Sequence, residues 1–366
     1  MSIPESARQD IARPGYNVAS KIYPNRRRKI YSIIGLSILL IMIMVFAVTI
    51  GSADISFGTT SSIIFSKLPF IDITQNWPDS LETIVWSIRM PRILLAGLVG
   101  AALAIAGATY QGLFRNPLAD PYLIGVAQGA ALGAVLGFLL NISWQGFEFG
   151  IIPVMAFIGA IVSVLIVYMI ARVGRMLPVT TLILAGVALG AFFMAVVSYM
   201  ITISEEQIHG VMFWLMGSFS LSRWSEVQVV LPIVLVGIIV IMIYARSLNL
   251  IQLGEEQAQQ LGVNVEKVKV ILLAAATLIT AAAVSFVGII GFVGIIIPHA
   301  VRLIWGADYR FLLPLSVLVG AIFMIAADIV SRTVMAPSEI PIGIITALCG
   351  APFFLYLLRQ RTRMLF

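Results

Sequence analysis

Long apolar runs separated by short polar breaks occupy most of the chain, near residues 30–50, 90–112, 122–141, 151–171, 178–203, 228–245, 268–288, 290–305, 311–331 and 341–358. A run of about 20 apolar residues crosses the hydrocarbon layer as a helix, and only helices and closed barrels satisfy their backbone there. The pattern therefore predicts an all-α polytopic membrane protein with ten transmembrane helices. A membrane domain of 30–358 lies between an amino-terminal tail of 1–29 and a carboxyl-terminal tail of 359–366. The weakest part is 268–305, where Gly288, Gly291 and Gly294 interrupt the pattern and two spans share a very short outer turn.

The polar positions gather in one island, 247–269, with the sequence SLNLIQLGEEQAQQLGVNVEKVK. Glu255 to Leu261 are strong helix formers, which predicts a short helix. Leu250, Leu253, Ala258, Leu261 and Val265 recur at three- and four-residue spacing and give it one apolar face. Glu255 and Glu256 argue against a helix lying on lipid, whose polar side is normally basic. Two readings stand: a helix that docks a soluble protein, or one folded back on the membrane domain.

Composition settles the class. With 60% hydrophobic and 11% charged residues, too few polar side chains exist to cover a water-facing surface. The net charge of +6 comes from basic residues scattered at span ends, so it points to the membrane rather than to nucleic acid. Arg8, Arg13, Lys21, Arg26, Arg27, Arg28 and Lys29 precede the first run, which has no cleavage signature and is read as a retained span behind a cytoplasmic tail. Ten spans put Arg359, Arg361 and Arg363 on the same side. Of the 23 Lys and Arg residues, only Lys67, Arg89, Arg92, Arg223 and Arg332 then lie outside, as the positive-inside rule requires. The expected place is the cytoplasmic membrane, with both termini cytoplasmic. Outside, 52–87 has room for a short surface helix, and Ser204 to Glu226 reads as a re-entrant or interfacial helix with Trp214 and Trp224 at headgroup level.

Gly125, Gly129, Gly133 and Gly137 repeat every four residues and predict close helix packing, since lipid supplies no hydrophobic drive between helices. Catalytic chemistry is not visible. The phosphate loop G-x-x-x-x-G-K-[ST] does not occur, His209 and His299 are too far apart in topology to share a metal, and Cys349 is a single cysteine in an apolar run. The reading is a chain that is not an enzyme and binds no cofactor or metal of its own. Asp328 and Arg332 are read as a local helix pair. The scarcity of other charges within spans counts against the alternative, an ion-coupled secondary transporter.

RMPRILLAGLVGAALAIAGATYQGLFRNPLADPYLIGVAQGAALGAVLG (Arg89 to Gly137) resembles the signature region of the iron-chelate, haem and cobalamin importer permeases, the FecCD family of ABC transporters. LILAGVALG (Leu182 to Gly190), MFWLMGSFS (Met212 to Ser220), LGEEQAQQLGV (Leu253 to Val263), GFVGIIIPHAVRLIWGADYRFLLPLSVLVGA (Gly291 to Ala321) and ADIVSRTVMAPSEIPIGIITALCGAPFFLYLL (Ala327 to Leu358) resemble its other landmarks in the same order. The resemblance implies the type II importer fold: a homodimer around one pathway, two ATPase subunits that bind ATP and Mg on the cytosolic side, and a substrate-binding protein outside. It makes Leu253, Gly254, Glu255, Ala258, Leu261 and Gly262 the ATPase-coupling positions, and Arg89, Arg92 and Arg332 the positions that meet acids on the binding protein. Read from the residues alone, those arginines stand at span ends, where they could equally contact lipid headgroups. The resemblance also makes Asn116, Leu118, Val179 and Thr180 the cytoplasmic gate, with Val179 in place of the hydroxyl residue expected of a cobalamin member. Asn116 and Pro117 fit equally well as a helix cap and first-turn residue.

Overall fold

The computed structural model describes residues 26–51, 55–67, 73–140, 148–174, 176–203 and 207–363. Most of the expected amino-terminal tail, residues 52–54 and 68–72 of the outer loop and the last three residues lie outside that set. The described residues form helices and no strand. The first are α1 (Arg26–Thr49), α2 (Phe57–Ser66), the continuous helix α3 (Asp79–Leu113), α4 (Val126–Leu140), α5 (Ile152–Ala171), α6 (Val179–Thr202) and α7 (Ile208–Leu215). They are followed by α8 (Trp224–Ile243), α9 (Ala245–Ile251), α10 (Glu255–Gln260), α11 (Val265–Val287), α12 (Val293–Trp305), α13 (Tyr309–Thr333) and α14 (Ile342–Arg363).

The centre of the bundle is α3, which packs against α13, α11, α12 and α8 and is buried along most of its length. Its sequence allows this because small residues let neighbouring backbones touch: a Cβ on Gly100 would overlap the Gly320 carbonyl of α13, and one on Gly107 would overlap Gly294 of α12. Between Thr83 and Arg89 the helix widens to π geometry, with the Met90 N–H reaching back to Val85. Pro91 lacks an N–H and crowds the preceding turn, and the wider coil accommodates it. A second pair, α4 on α5, is made the same way: Gly129 and Gly133 abut Gly159 and Met155, while Gly137 stands against Ile152. Gly125 is not part of α4. It has φ 86° and ends the short 3-10 turn Pro121–Ile124, and its carbonyl accepts the Ser163 hydroxyl at 2.7 Å.

Helices occur at all ten expected places, and seven are long and apolar enough to cross a membrane. The other three are shorter: Val126–Leu140, Val293–Trp305 and the apolar part of α14, Ile342–Leu355. At about 1.5 Å per residue, the 13 residues of α12 reach only about 20 Å, short of a full crossing of about 30 Å. The turn between α11 and α12 is accordingly sunk in the protein rather than lying at the outer surface. Val287 and Ile290 are buried, the Ser218 N–H donates to the Val287 carbonyl at 2.8 Å, and the Tyr122 hydroxyl donates to the Ile290 carbonyl at 2.9 Å. Irregular backbone at this depth is tolerated because protein groups satisfy it.

The outer loops carry helices where the sequence suggested them. Ser56 caps α2, accepting from the Thr59 N–H at 3.1 Å. After α7, the chain runs inward so that the Met216 and Gly217 carbonyls accept from the N–H groups of Gly343 and Ile342, both at 3.0 Å. Trp224 stacks on Trp86 at 5.0 Å between ring centroids.

Candidate coupling surface, gate and outer arginine cluster

The polar island folds as two short helices, α9 and α10, leading into α11. Gly254 has φ 134° and ψ 151°, a conformation essentially reserved for glycine, and turns the chain sharply before α10. Gly262, at φ 87°, closes the helix: its N–H bonds to the Gln259 carbonyl at 2.9 Å and the Val263 N–H to the Ala258 carbonyl at 3.0 Å, the double bond pattern of a left-handed helix terminus.

These two breaks divide the apolar face expected from spacing. Ala258 and Val265 are buried against the domain, whereas Leu253 and Leu261 are 63% and 59% exposed, one at each end of α10. A helical wheel drawn through 250–265 runs across two glycines at which the helix stops, so the five apolar positions do not share one face. Both earlier readings are partly realised: α10 folds back on the membrane domain through Ala258, and it leaves two leucines outward among Glu256, Gln257, Gln259 and Gln260.

Polar side chains seat this island on three neighbouring segments. Gln252 donates to the Gly112 carbonyl at the end of α3, at 2.7 Å. Asn249 donates to Asp308 at 2.7 Å and accepts the Tyr309 N–H at 2.9 Å, which fixes the start of α13. Lys269, only 4% exposed, donates to Glu255 at 2.7 Å, to Glu266 at 3.1 Å and to the Leu177 carbonyl at 3.4 Å. Glu266 in turn accepts the Leu177 N–H at 2.8 Å. Glu255 is thus an inward strut rather than an outward contact. Sequence reasoning passed over Lys269, Gln252 and Asn249; the available signal was Lys269 itself, a charge inside an apolar helix three residues after Glu266.

The expected gate residues lie next to those seats, Asn116 and Leu118 on a loop and Val179 and Thr180 in the first turn of α6. Asn116 is exposed, and its side chain accepts the Leu118 N–H at 3.0 Å, closing a tight turn. It caps no helix. That role falls to the similar dipeptide downstream, where Asp120 accepts the Tyr122 N–H at 2.8 Å ahead of Pro121. Asp120 is buried, and burial pushes its carboxyl up to about 6 against the pull of that N–H. Val179 opens α6, half-buried, and Thr180 beside it is exposed. Farther along α6, Asp120, Tyr122, Gln128, Gly186, Gly190 and Met194 line a cavity of about 410 Å³.

At the opposite end, the three arginines point inward. Arg89, Arg92 and Arg332 are 5%, 6% and 8% exposed. Arg89 donates to the carbonyls of Val48 and Thr49 at 2.7 and 3.0 Å, and Arg332 to those of Ala47 and Ile50 at 2.6 and 2.7 Å. A helix leaves its last four carbonyls without partners, and here two guanidiniums fill that need at the end of α1. Arg92 binds Asp328 at 2.8 Å and Glu339 at 2.7 Å, and Ser220 also donates to Glu339. Arg332 Nε stands 3.3 Å from Asp328 as an ion pair. The expected Asp328–Arg332 pair is therefore present but enlarged, and the picture of arginines offering donors outward is corrected. Their donors face the C-terminal end of α1, the buried Asp328 and the partly exposed Glu339.

Comparison with known proteins agrees with this architecture. The chain is 50% identical over 284 residues to the cobalamin import system permease protein BtuC of Halobacterium salinarum, covering 78% of this chain and 75% of that one. It is 39% identical over 340 residues to the hemin transport system permease protein HmuU of Yersinia pestis, covering 89% and 96% respectively. A solved structure described as an inward-facing conformation of a metal-chelate type ABC transporter superposes with a TM-score of 0.78 at 33% identity, covering 90% of this chain and 99% of that one. Residues 39–360 match the FecCD transport family, and the chain belongs to it.

Proposed function

We propose that this chain is the membrane permease subunit of an ATP-driven importer for a metal chelate of the iron-siderophore, haem or corrinoid class. Two copies enclose one pathway, a pair of separate ATPase subunits that carry ATP and Mg sits at the inner end, and a substrate-binding protein delivers cargo at the outer end. The chain itself binds no cofactor. Both termini face the cytoplasm, the side on which the basic residues accumulate.

The observation that carries this reading is the exposed pair Leu253 and Leu261, which flank a short helix seated on the membrane domain through Ala258 and Glu255. Two leucines held in water by a rigid seat form a small apolar knob, suited to a cleft on a soluble partner. Gly254 and Gly262 set where the knob points, and Ala258 and Glu255 fix its base. Asn116 and Leu118, on a loop, and Val179 and Thr180, in the first turn of α6, form the inner closure adjacent to that base. The binding protein meets the outer end. There the buried Arg89, Arg92 and Arg332 keep the docking surface in shape, and Glu339 is the partly exposed member of their cluster.

Co-purification tests the coupling surface. The wild-type chain solubilised with its co-expressed ATPase brings the ATPase down; Leu253→Asp with Leu261→Asp loses it while eluting as a folded species. Retention of the ATPase by that double variant would contradict the assignment.

A further inference from the structure

The coupling segment reaches each half of the gate through a different side chain. Gln252 holds the Gly112 carbonyl, four residues before Asn116. Lys269 gathers Glu255 of α10, Glu266 of α11 and the Leu177 carbonyl, two residues before Val179. The second connection is closed by the Leu177 N–H, which donates to Glu266. Both connections join segments distant in sequence: Gln252 lies 140 positions from Gly112, and Lys269 lies 92 from Leu177.

We infer that Gln252 and Lys269 are positioning residues that carry motion of the coupling helix separately to the two gate segments, Gln252 to 112–118 and Lys269 to 176–180. This rests on the reading of α10 as the ATPase contact. The physical reason lies in what each residue can hold. Lys269 is a buried cation whose charge is balanced by two carboxylates, so displacing Glu255 from it leaves an imperfectly compensated charge in a low-dielectric site. The cluster therefore moves as a unit, and Leu177 moves with it. Gln252 carries no charge, but its bond lands at 2.7 Å on a carbonyl in the last turn of α3, which receives besides it a long 3.4 Å contact from the Arg115 N–H. Glu255 and Glu266 are partly exposed, so water can solvate them if Lys269 is replaced by the isosteric methionine.

Hydrogen exchange on the assembled complex, permease with its ATPase in nanodiscs, tests this without knowledge of the cargo. Amide exchange of 112–120 and 176–182 is compared before and after trapping with ATP and vanadate. In wild type both segments change protection. Lys269→Met is expected to shrink the change at 176–182 about tenfold, the scale of one charge-assisted hydrogen bond, and to leave 112–120 responding. Gln252→Leu should give the reverse. Glu255→Gln, which leaves Lys269 paired to Glu266, should reproduce the first pattern more weakly and guards against a folding defect in Lys269→Met. Crossed losses are what separate transmission from general loosening, which would affect both segments alike. Normal responses at both segments in all variants, or loss of both responses in each variant while the ATPase stays bound, would overturn the inference. A wild-type permease that binds no ATPase would overturn the functional reading first, and this inference with it.

Discussion

The two ends of this bundle use polar side chains in opposite ways. At the outer end Arg92, Arg332 and Asp328 are buried, and with Arg89 they fix the end of α1 against α3 and α13. At the inner end, polar contacts seat a short helix from beneath while Leu253 and Leu261 stay in water. The outer network is paired within the chain, down to the 3.3 Å ion pair of Arg332 with Asp328. The inner one leaves two leucines exposed, which is where the proposed ATPase contact is placed. Charge is thus a poor guide to which end is functional here, because the charged residues at span ends are those most fully used up by the fold.

The sharpest way to break this contrast is to remove the outer carboxylate. Asp328→Ala leaves Arg92 paired to Glu339 but takes from the buried Arg332 its carboxylate partner, and breaking a buried ion pair on one side costs about 3–5 kcal/mol; a large fall in thermal stability in detergent is expected, whether or not a binding protein is present. If stability is unchanged and only docking is lost, the cluster is a recognition site and not a scaffold. Next in size is the inner pair. Leu253→Asp with Leu261→Asp should weaken ATPase association about a hundredfold with no change in melting temperature, since both positions are exposed. A lowered melting temperature would mean that these leucines are packed.

Gly254→Ala is expected to act on the seat of α10 alone. Its backbone conformation costs a residue with a Cβ about 1–3 kcal/mol, so ATPase association should weaken about tenfold or more while the outer end is unaffected. Smallest is a pH effect at Asp120. Its folded carboxyl titrates at about 6, above the ordinary 3.8, so between about pH 4 and 6 the folded chain keeps a proton that the unfolded chain has released. Stability therefore falls as pH rises through that window and levels off above it; Asp120→Asn should flatten the profile measured by thermal unfolding.

Much of the fold was legible because lipid imposes a simple rule. A run of apolar residues long enough to cross the membrane predicts a helix, and α1, α3, α5, α6, α8, α11 and α13 all follow it. The rule fails where protein replaces lipid as the solvent. The turn around Gly288 was assigned to the outer surface because nothing in its sequence shows that Tyr122 and Ser218 would satisfy it at depth. The position of the short helix at Glu255–Gln260 was readable from propensity, yet its exposed face was not. Periodicity assumes an unbroken helix, and Gly254 and Gly262 interrupt it at the residues that matter. Arg89, Arg92 and Arg332 were found as a group, but the direction of their side chains depended on α1 carbonyls, for Arg89 and Arg332, and on Asp328 and Glu339, for Arg92, some 40 residues away or more and beyond any local pattern. Gln252 and the tie from Lys269 to Leu177 went unnoticed for the same reason, their partners being 140 and 92 residues distant, whereas Lys269 with Glu266 three residues before it was a local signal passed over.

The central claim is that transport is driven from outside this chain, through a knob that it presents to a separate ATPase. Proteoliposomes carrying the permease, with or without the ATPase, and with radiolabelled cyanocobalamin and haemin offered on their binding proteins, test it most directly. The account predicts accumulation of one of these cargoes that requires both the ATPase and ATP and disappears with Leu253→Asp plus Leu261→Asp. Accumulation by the permease alone, driven by a proton or sodium gradient, would contradict it.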